Sequence, residues 1–212
     1  MPKRLLFLCA TAAYNAQITD HIKGVCGLLG VDFVEHAYTG IPAWETFTQT
    51  AGKFDFLYIA AHGNHACFGE NNPPMLTRWA DFGVSLCVTQ VMQPGSVLFM
   101  GCCHGGLKRV SLILFTNCPQ IVSVCGPRWK VSTHEVAVAI HVFLHNLLIA
   151  EEEPTVAAER TADALGSSFP FYDRYELEAD IAVMMTHGHY IFDDYEPTPP
   201  APLAPPAPAP NP

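Results

Sequence analysis

Residues Gly95 to Gly106 read GSVLFMGCCHGG, an apolar run that ends abruptly in two cysteines, a histidine and two glycines. Residues Phe54 to His65, FDFLYIAAHGNH, repeat the plan, with the apolar run stopping on a histidine and a glycine. Short apolar runs bounded by turn residues read as fully buried strands. In an open α/β sheet, ligands and catalytic groups gather beyond the C-terminal ends of the parallel strands. His62-Gly63 and Cys103 with its His-Gly-Gly are therefore expected at one rim.

Outward from these two runs, strand and helix patterns alternate. RLLFLCA (Arg4 to Ala10) reads as a buried strand, followed by a helix in which Ile18, Ile22, Val25 and Leu29 recur at helical spacing before Gly30. VDFVEHAY alternates with period two and predicts a second strand; a short helix is expected around Pro42 to Thr50, and the next strand over Phe54 to Ala61. A loop rich in Gly, Asn and Pro precedes a mixed helix over Leu76 to Met92, and Pro94-Gly95 punctuates the chain before a strand at Val97 to Met100. QIVSVCG predicts one more buried strand. Ser132 and Glu135 then make a capping box for a helix whose apolar face is Val136, Ala139, Ile140, Phe143, Leu144 and Leu147. Pro154 can open a further helix that Gly166 closes, and a last strand is expected within Ile181 to Phe192. This succession predicts an α/β fold, an α/β/α sandwich with a mostly parallel central sheet, over residues 1–195. Residues 196–212, with PTPPAPLAPPAPAPNP from Pro197, are expected to form a proline-rich disordered tail or linker.

Composition removes several classes. The chain has 212 residues, half of them hydrophobic and 15% charged, enough to bury one core. Its formal charge of -9, from 11 basic against 20 acidic side chains and no Lys/Arg cluster, argues against nucleic acid or an anionic membrane as a partner. No apolar run approaches the length of a membrane span. The eight cysteines form no C-x-x-C pair and read as reduced, mostly buried thiols. MPKRLLFLCATAA has the outline of a signal peptide, but its apolar stretch is short and fits a first strand. The expected compartment is the cytoplasm.

A thiol and an imidazole delivered to one rim are what cysteine nucleophile chemistry needs: attack on a carbonyl, movement of protons, and backbone N–H groups to hold the oxyanion. Glycine at 63 leaves the backbone open to a substrate carbonyl. Cys102 is expected to pack in the core, since successive side chains at a strand end point to opposite faces. His65, Cys67 and His104 beside the cysteines are soft metal ligands, but their spacing matches no zinc pattern. His141 and His145 lie off the apolar stripe of their helix and are expected in solvent, and MMTHGHY around His187 is expected in the terminal strand. Glu151 to Glu153 reads as a charge cluster at a helix start.

The ordered series resembles the caspase-like cysteine peptidases, and most closely the CHAT group. FDFLYIAAHGNH resembles that group's strand into histidine-glycine. MLTRWADFGVSLCVTQVMQPGSVLFMGCC is similar to its helix, Pro-Gly and nucleophile strand, and VSVCGPRWKVSTHEVAVAIHVFLHNLL to its next strand, Trp-containing loop and long helix. PTVAAERTADAL resembles the helix after that, and CCHGG also resembles the metacaspase nucleophile motif. The resemblance implies a caspase-like sandwich and a cysteine endopeptidase acting in regulated proteolysis. It implies Cys103 as nucleophile, His62 as the proton-moving partner, the N–H groups of Gly63 and Cys103 as oxyanion hole, and no cofactor. Gly101, His104 and Trp129 become substrate-binding candidates, with a protein or peptide as substrate and a sensor or repeat domain as a possible partner. The chain departs from metacaspases at Gly101, where they carry an acid that binds a basic side chain. The CHAT loop often has aspartates after its tryptophan and valine, and here Trp129-Lys130-Val131 leads to Ser132 and Thr133. The rival readings are a catalytically silent caspase-like scaffold that binds protein partners and a metal-binding module.

Overall fold

The computed structural model describes residues 2–71, 74–166 and 169–187. Five parallel strands and one antiparallel edge strand make a central sheet: β1 (Arg4–Cys9), β2 (Asp32–Ala37), β3 (Phe54–Ala60), β7 (Met92–Gly101), β8 (Ile121–Cys125) and β9 (Phe171–Asp173), in the order β2-β1-β3-β7-β8-β9. A second, antiparallel sheet is built from β4 (His62–Gly63), β5 (Cys67–Asn71) and β6 (Pro74–Arg78). The helices are α1 (Ala16–Leu28), α2 (Ile41–Ala51), α3 (Trp79–Thr89), α4 (Lys108–Asn117), α5 (Thr133–Leu148), α6 (Pro154–Leu165) and α7 (Glu178–His187).

Period-two alternation along the buried strands supplies both faces of the sheet. Leu5, Phe7, Phe56, Tyr58, Val97 and Phe99 pack with α1, α5 and α6, where Ile22, Phe143 and Ala157 are buried. Leu6, Leu8, Leu57, Ile59, Leu98 and Met100 pack against Trp44 of α2, Phe82 of α3, Val110 of α4 and Ile181 of α7. The result is the expected α/β/α sandwich. The capping box of α5 is formed, Ser132 Oγ accepting from Glu135 N–H at 3.2 Å and Glu135 Oε2 from Ser132 N–H at 2.7 Å. Of its apolar face only Leu147 is left half-buried.

Four local expectations are corrected. The loop between β3 and the following helix folds as the β4-β5-β6 sheet, and that helix starts at Trp79, because Leu76–Arg78 belongs to β6. Gly69 makes the β5-β6 pairing possible: at φ 144° a side chain there would run into the Met75 carbonyl. Pro94-Gly95 does not end a segment but bulges within β7, whose register to β3 slips between Met92 and Val97. Lys108–Asn117, not foreseen as an element, is α4; Leu107 at its N-cap makes no side-chain cap, so no capping signal announces it. The terminal strand expected from Ile181 is α7 up to His187, and the rest of that stretch, with the 196–212 tail, lies outside the described residues. Ile181 and Met184 of α7, with Leu177 just before it, form the stripe that faces the core, and Asp180 pairs with Lys108 of α4 at 2.9 Å. The sheet's outer edge is instead β9, held by Arg174, whose guanidinium donates to the carbonyls of Phe115, Cys118 and Ile121.

Candidate active site

The strand order reverses at β1: the chain steps from β1 out to β2, then returns to the other side of β1 as β3. Clefts form outside the carboxyl ends of strands at such a switch, here between β1 and β3; the His62 exit borders it and the Cys103 exit lies one strand further along the sheet. Ala60 and Gly101 are register partners on β3 and β7. His62 and Cys103, each two residues further on, therefore leave neighbouring strands at the same level, about 5 Å apart in the pairing direction. Together they border two cavities. One of about 400 Å³ includes Asn64, Asn71, Leu76, His104 and Lys130, and one of about 60 Å³ lies toward Tyr14, Val131 and Val136.

Cys103 sits in the turn between β7 and α4, half-buried, with its thiol 3.8 Å from the Val131 carbonyl. Cys102, 1% exposed, faces inward as the alternation predicts, and burial drives its thiol pKa far up. The turn is tied to the loop after β8. His104 N–H donates to Trp129 O at 3.3 Å, the His104 Nδ1–H to Arg128 O at 3.1 Å, and Gly106 N–H to Pro127 O at 2.9 Å. The positive φ in this turn belongs to His104, at 60°, not to a glycine. Gly105 and Gly106 are needed for close packing: a side chain at 105 would meet Met100 and Cys102, and one at 106 the Gly126 carbonyl.

His62 stands on β4, its side chain 40% exposed. Asn64 Oδ1 accepts from the Ala66 and Cys67 N–H groups at 2.7 and 3.0 Å, closing the turn from β4 to β5. Phe68 stacks on Trp79, ring centroids 4.6 Å apart, and fixes the small sheet to the core. Asn64 N–H donates across to Cys67 O. Antiparallel pairs alternate between bonded and non-bonded, so Gly63, paired with Phe68, turns its N–H away from β5. The Cys103 N–H has no acceptor among the described residues. A side chain at Gly63 would come within 2.8 Å of the Cys103 carbonyl and 3.0 Å of the Cys102 sulfur, so glycine lets the two arms touch.

The remaining candidates separate. Gly101 borders the smaller cavity, and its carbonyl accepts from Tyr14 Oη at 2.7 Å; Tyr14 in turn accepts from Tyr58 Oη at 3.0 Å. A Cβ at 101 would lie 2.7 Å from the Tyr58 hydroxyl, so the ring of Tyr58 fills the space an acidic side chain would need. His104 borders the larger cavity, whereas Trp129 borders neither and serves through its carbonyl. His141 is half-buried beside His21, ring centroids 6.0 Å apart, and His145 is exposed. Among the described residues no three His, Cys, Asp or Glu side chains gather to hold a metal. The residue sequence reasoning missed is Glu70 on β5, whose Oε1 lies 3.8 Å from His62 Nε2. No local motif marks it; only the pairing of β4 with β5 could have drawn attention to it.

Compared with models of known protein families the chain matches none, and no curated protein matches it.

Proposed function

We propose that the chain is a caspase-like cysteine endopeptidase of the CHAT type that hydrolyses peptide bonds through Cys103 and His62. The observation that carries this reading is the Ala60–Gly101 register, which brings the two side chains out at one cleft. In the first step the Cys103 proton passes to His62 and the sulfur bonds to the scissile carbonyl carbon. The oxyanion is held by the N–H groups of Gly63 and Cys103, both without a ladder partner. Collapse breaks the C–N bond, and His62 gives its proton to the leaving amine. Water, deprotonated by His62, then cleaves the thioester, releasing the carboxylate and restoring the thiol.

The substrate is a protein or peptide. With Tyr58 packed under Gly101, a carboxylate for a basic substrate residue is missing at that place, and Tyr14, Val131 and Val136 beside it are uncharged. The larger cavity presents Lys130 and His104. Regulated proteolysis in the cytoplasm suits an enzyme whose eight thiols are all free, and the proline-rich tail suits recruitment by a sensor or repeat-domain partner. Among the described residues no helix is long and apolar enough to cross a membrane.

The test is labelling with a peptidyl acyloxymethyl ketone, followed by peptide mapping and by cleavage of a randomised fluorogenic peptide set. An adduct on Cys103, lost in His62→Ala, together with turnover is the expected result. Resistance to the probe and no cleavage of any peptide would leave the silent-scaffold reading standing.

A further inference from the structure

The carboxylate of Glu70, on β5, joins two strand exits. Its Oε2 accepts from the Ala12 N–H, just beyond β1, at 2.8 Å. Its Oε1 accepts from the Asn71 N–H at 2.7 Å and lies 3.8 Å from His62 Nε2, just beyond β3. The Glu70 side chain is only 17% exposed, less than half the exposure of the imidazole it faces. An exposed ion pair between two free side chains adds little to stability. Here the acid is oriented by two main-chain donors from different segments before His62 is considered, which is the arrangement of a fixed acceptor.

We propose that Glu70 is the positioning residue of the His62–Cys103 pair, holding the proton of the neutral imidazole on Nε2 so that Nδ1 is left as the base toward the thiol and the leaving amine. The inference rests on the peptidase reading above. A carboxylate offers only acceptors, so the ring nitrogen turned toward it is the one that carries hydrogen. The second nitrogen lies across the ring and is then unprotonated. A nucleophile–base pair works best when a third group orients the base. The 3.8 Å separation is too long for a formed hydrogen bond, and such contacts tighten when substrate closes the site. During acylation the imidazole becomes doubly protonated, and the facing carboxylate stabilises that cation; no proton moves to Glu70.

Glu70→Gln keeps the size of the side chain but leaves one acceptor oxygen to serve two main-chain donors and His62, and with the charge that favours hydrogen on Nε2 gone, the tautomer with hydrogen on Nδ1 gains population. Measured on the best-cleaved member of the randomised peptide set, kcat is expected to fall on the order of 10- to 100-fold. KM and the thermal midpoint stay close to the parent's, and Glu70→Asp recovers part of kcat where Gln does not. Ring ¹⁵N shifts of His62, assigned against His62→Ala, should show hydrogen on Nε2 in the parent and its loss from Nε2 in Glu70→Gln. Parental kcat in Glu70→Gln, a raised KM at unchanged kcat, a loss of activity that tracks unfolding, or an unchanged tautomer would each overturn the role. A parent that cleaves no peptide refutes the peptidase reading instead, while the ring-nitrogen measurement still decides whether Glu70 sets the tautomer.

Discussion

Cys103 and His62 reach the cleft on arms of opposite construction. The cysteine arm prolongs β7, buried from Ser96 to Cys102, and is pinned by glycines that leave no room for a Cβ against Met100, Cys102 and the Gly126 carbonyl. The histidine arm leaves the core after Ala61 and rests on a three-stranded sheet held down by Phe68, Trp79 and a few polar ties, among them Tyr38 Oη to Thr77 Oγ1 at 2.9 Å and Glu70 to Ala12. One arm is positioned by close packing and the other by directional contacts. Packing errors on the cysteine arm are therefore expected to cost stability, whereas polar errors on the histidine arm are expected to displace His62, cost the proposed activity and leave the fold standing.

The largest expected effect separates chemistry from fold. Cys103→Ala and His62→Ala should each lower kcat/KM by more than about 10³-fold. Because both side chains are partly exposed and neither fills the core, their urea midpoints should stay near the parent's. A His62→Ala protein that unfolds like a core variant would show that the histidine arm is structural, and the comparison would collapse.

Next comes Gly106→Ala, which is expected to destabilise by about 3 kcal/mol or to prevent folding, since the added methyl meets a carbonyl of the main chain that cannot rotate away. Gly63→Ala touches the Cys103 carbonyl and the Cys102 sulfur less severely, and a loss of about 1–2 kcal/mol is expected. Its kcat should drop further than that loss explains, because the Gly63 N–H moves with the backbone. Urea denaturation and peptide turnover on both variants check the pair. A Gly63→Ala protein as stable as the parent would mean that the arms do not press on each other as described.

These two arms were unequally legible in the sequence. The β7 exit could be read because a buried strand ending in small residues has one interpretation, and the Cys102/Cys103 division follows from side-chain alternation alone. The reason for Gly105 and Gly106 is not legible there, because the close approach of the loop after β8 appears only in three dimensions. The stretch after Ala61 was opaque, since its strands are short and rich in Gly, Asn and Pro and carry no periodic signal. Glu70 was hidden with it. Ile181, Val183 and the methionines suit a strand, whereas the stripe of Leu177, Ile181 and Met184 that makes this segment a helix depends on the facing α4.

The smallest expected effect lies within the cysteine pair itself. Cys102→Ala removes one buried sulfur and leaves a cavity, for which about 1 kcal/mol is expected, with most of the peptidase activity retained. A pH series sharpens this. Burial raises the Cys26 and Cys118 thiols to about 11 and lifts Cys102 and Cys125 further, against an ordinary value of 9.0 in the unfolded chain. A raised folded-state pKa gives stability that is fully present below 9.0 and is lost as pH rises from there through the folded values, because only the unfolded chain then releases protons. Each such thiol contributes a slope of about 1.4 kcal/mol per pH unit between its two values. Urea midpoints collected above pH 9.0 should therefore fall in the parent and fall less steeply in Cys102→Ala. If the Cys102→Ala curve falls as steeply as the parent's, the inward thiol has been assigned to the wrong residue, and the nucleophile with it.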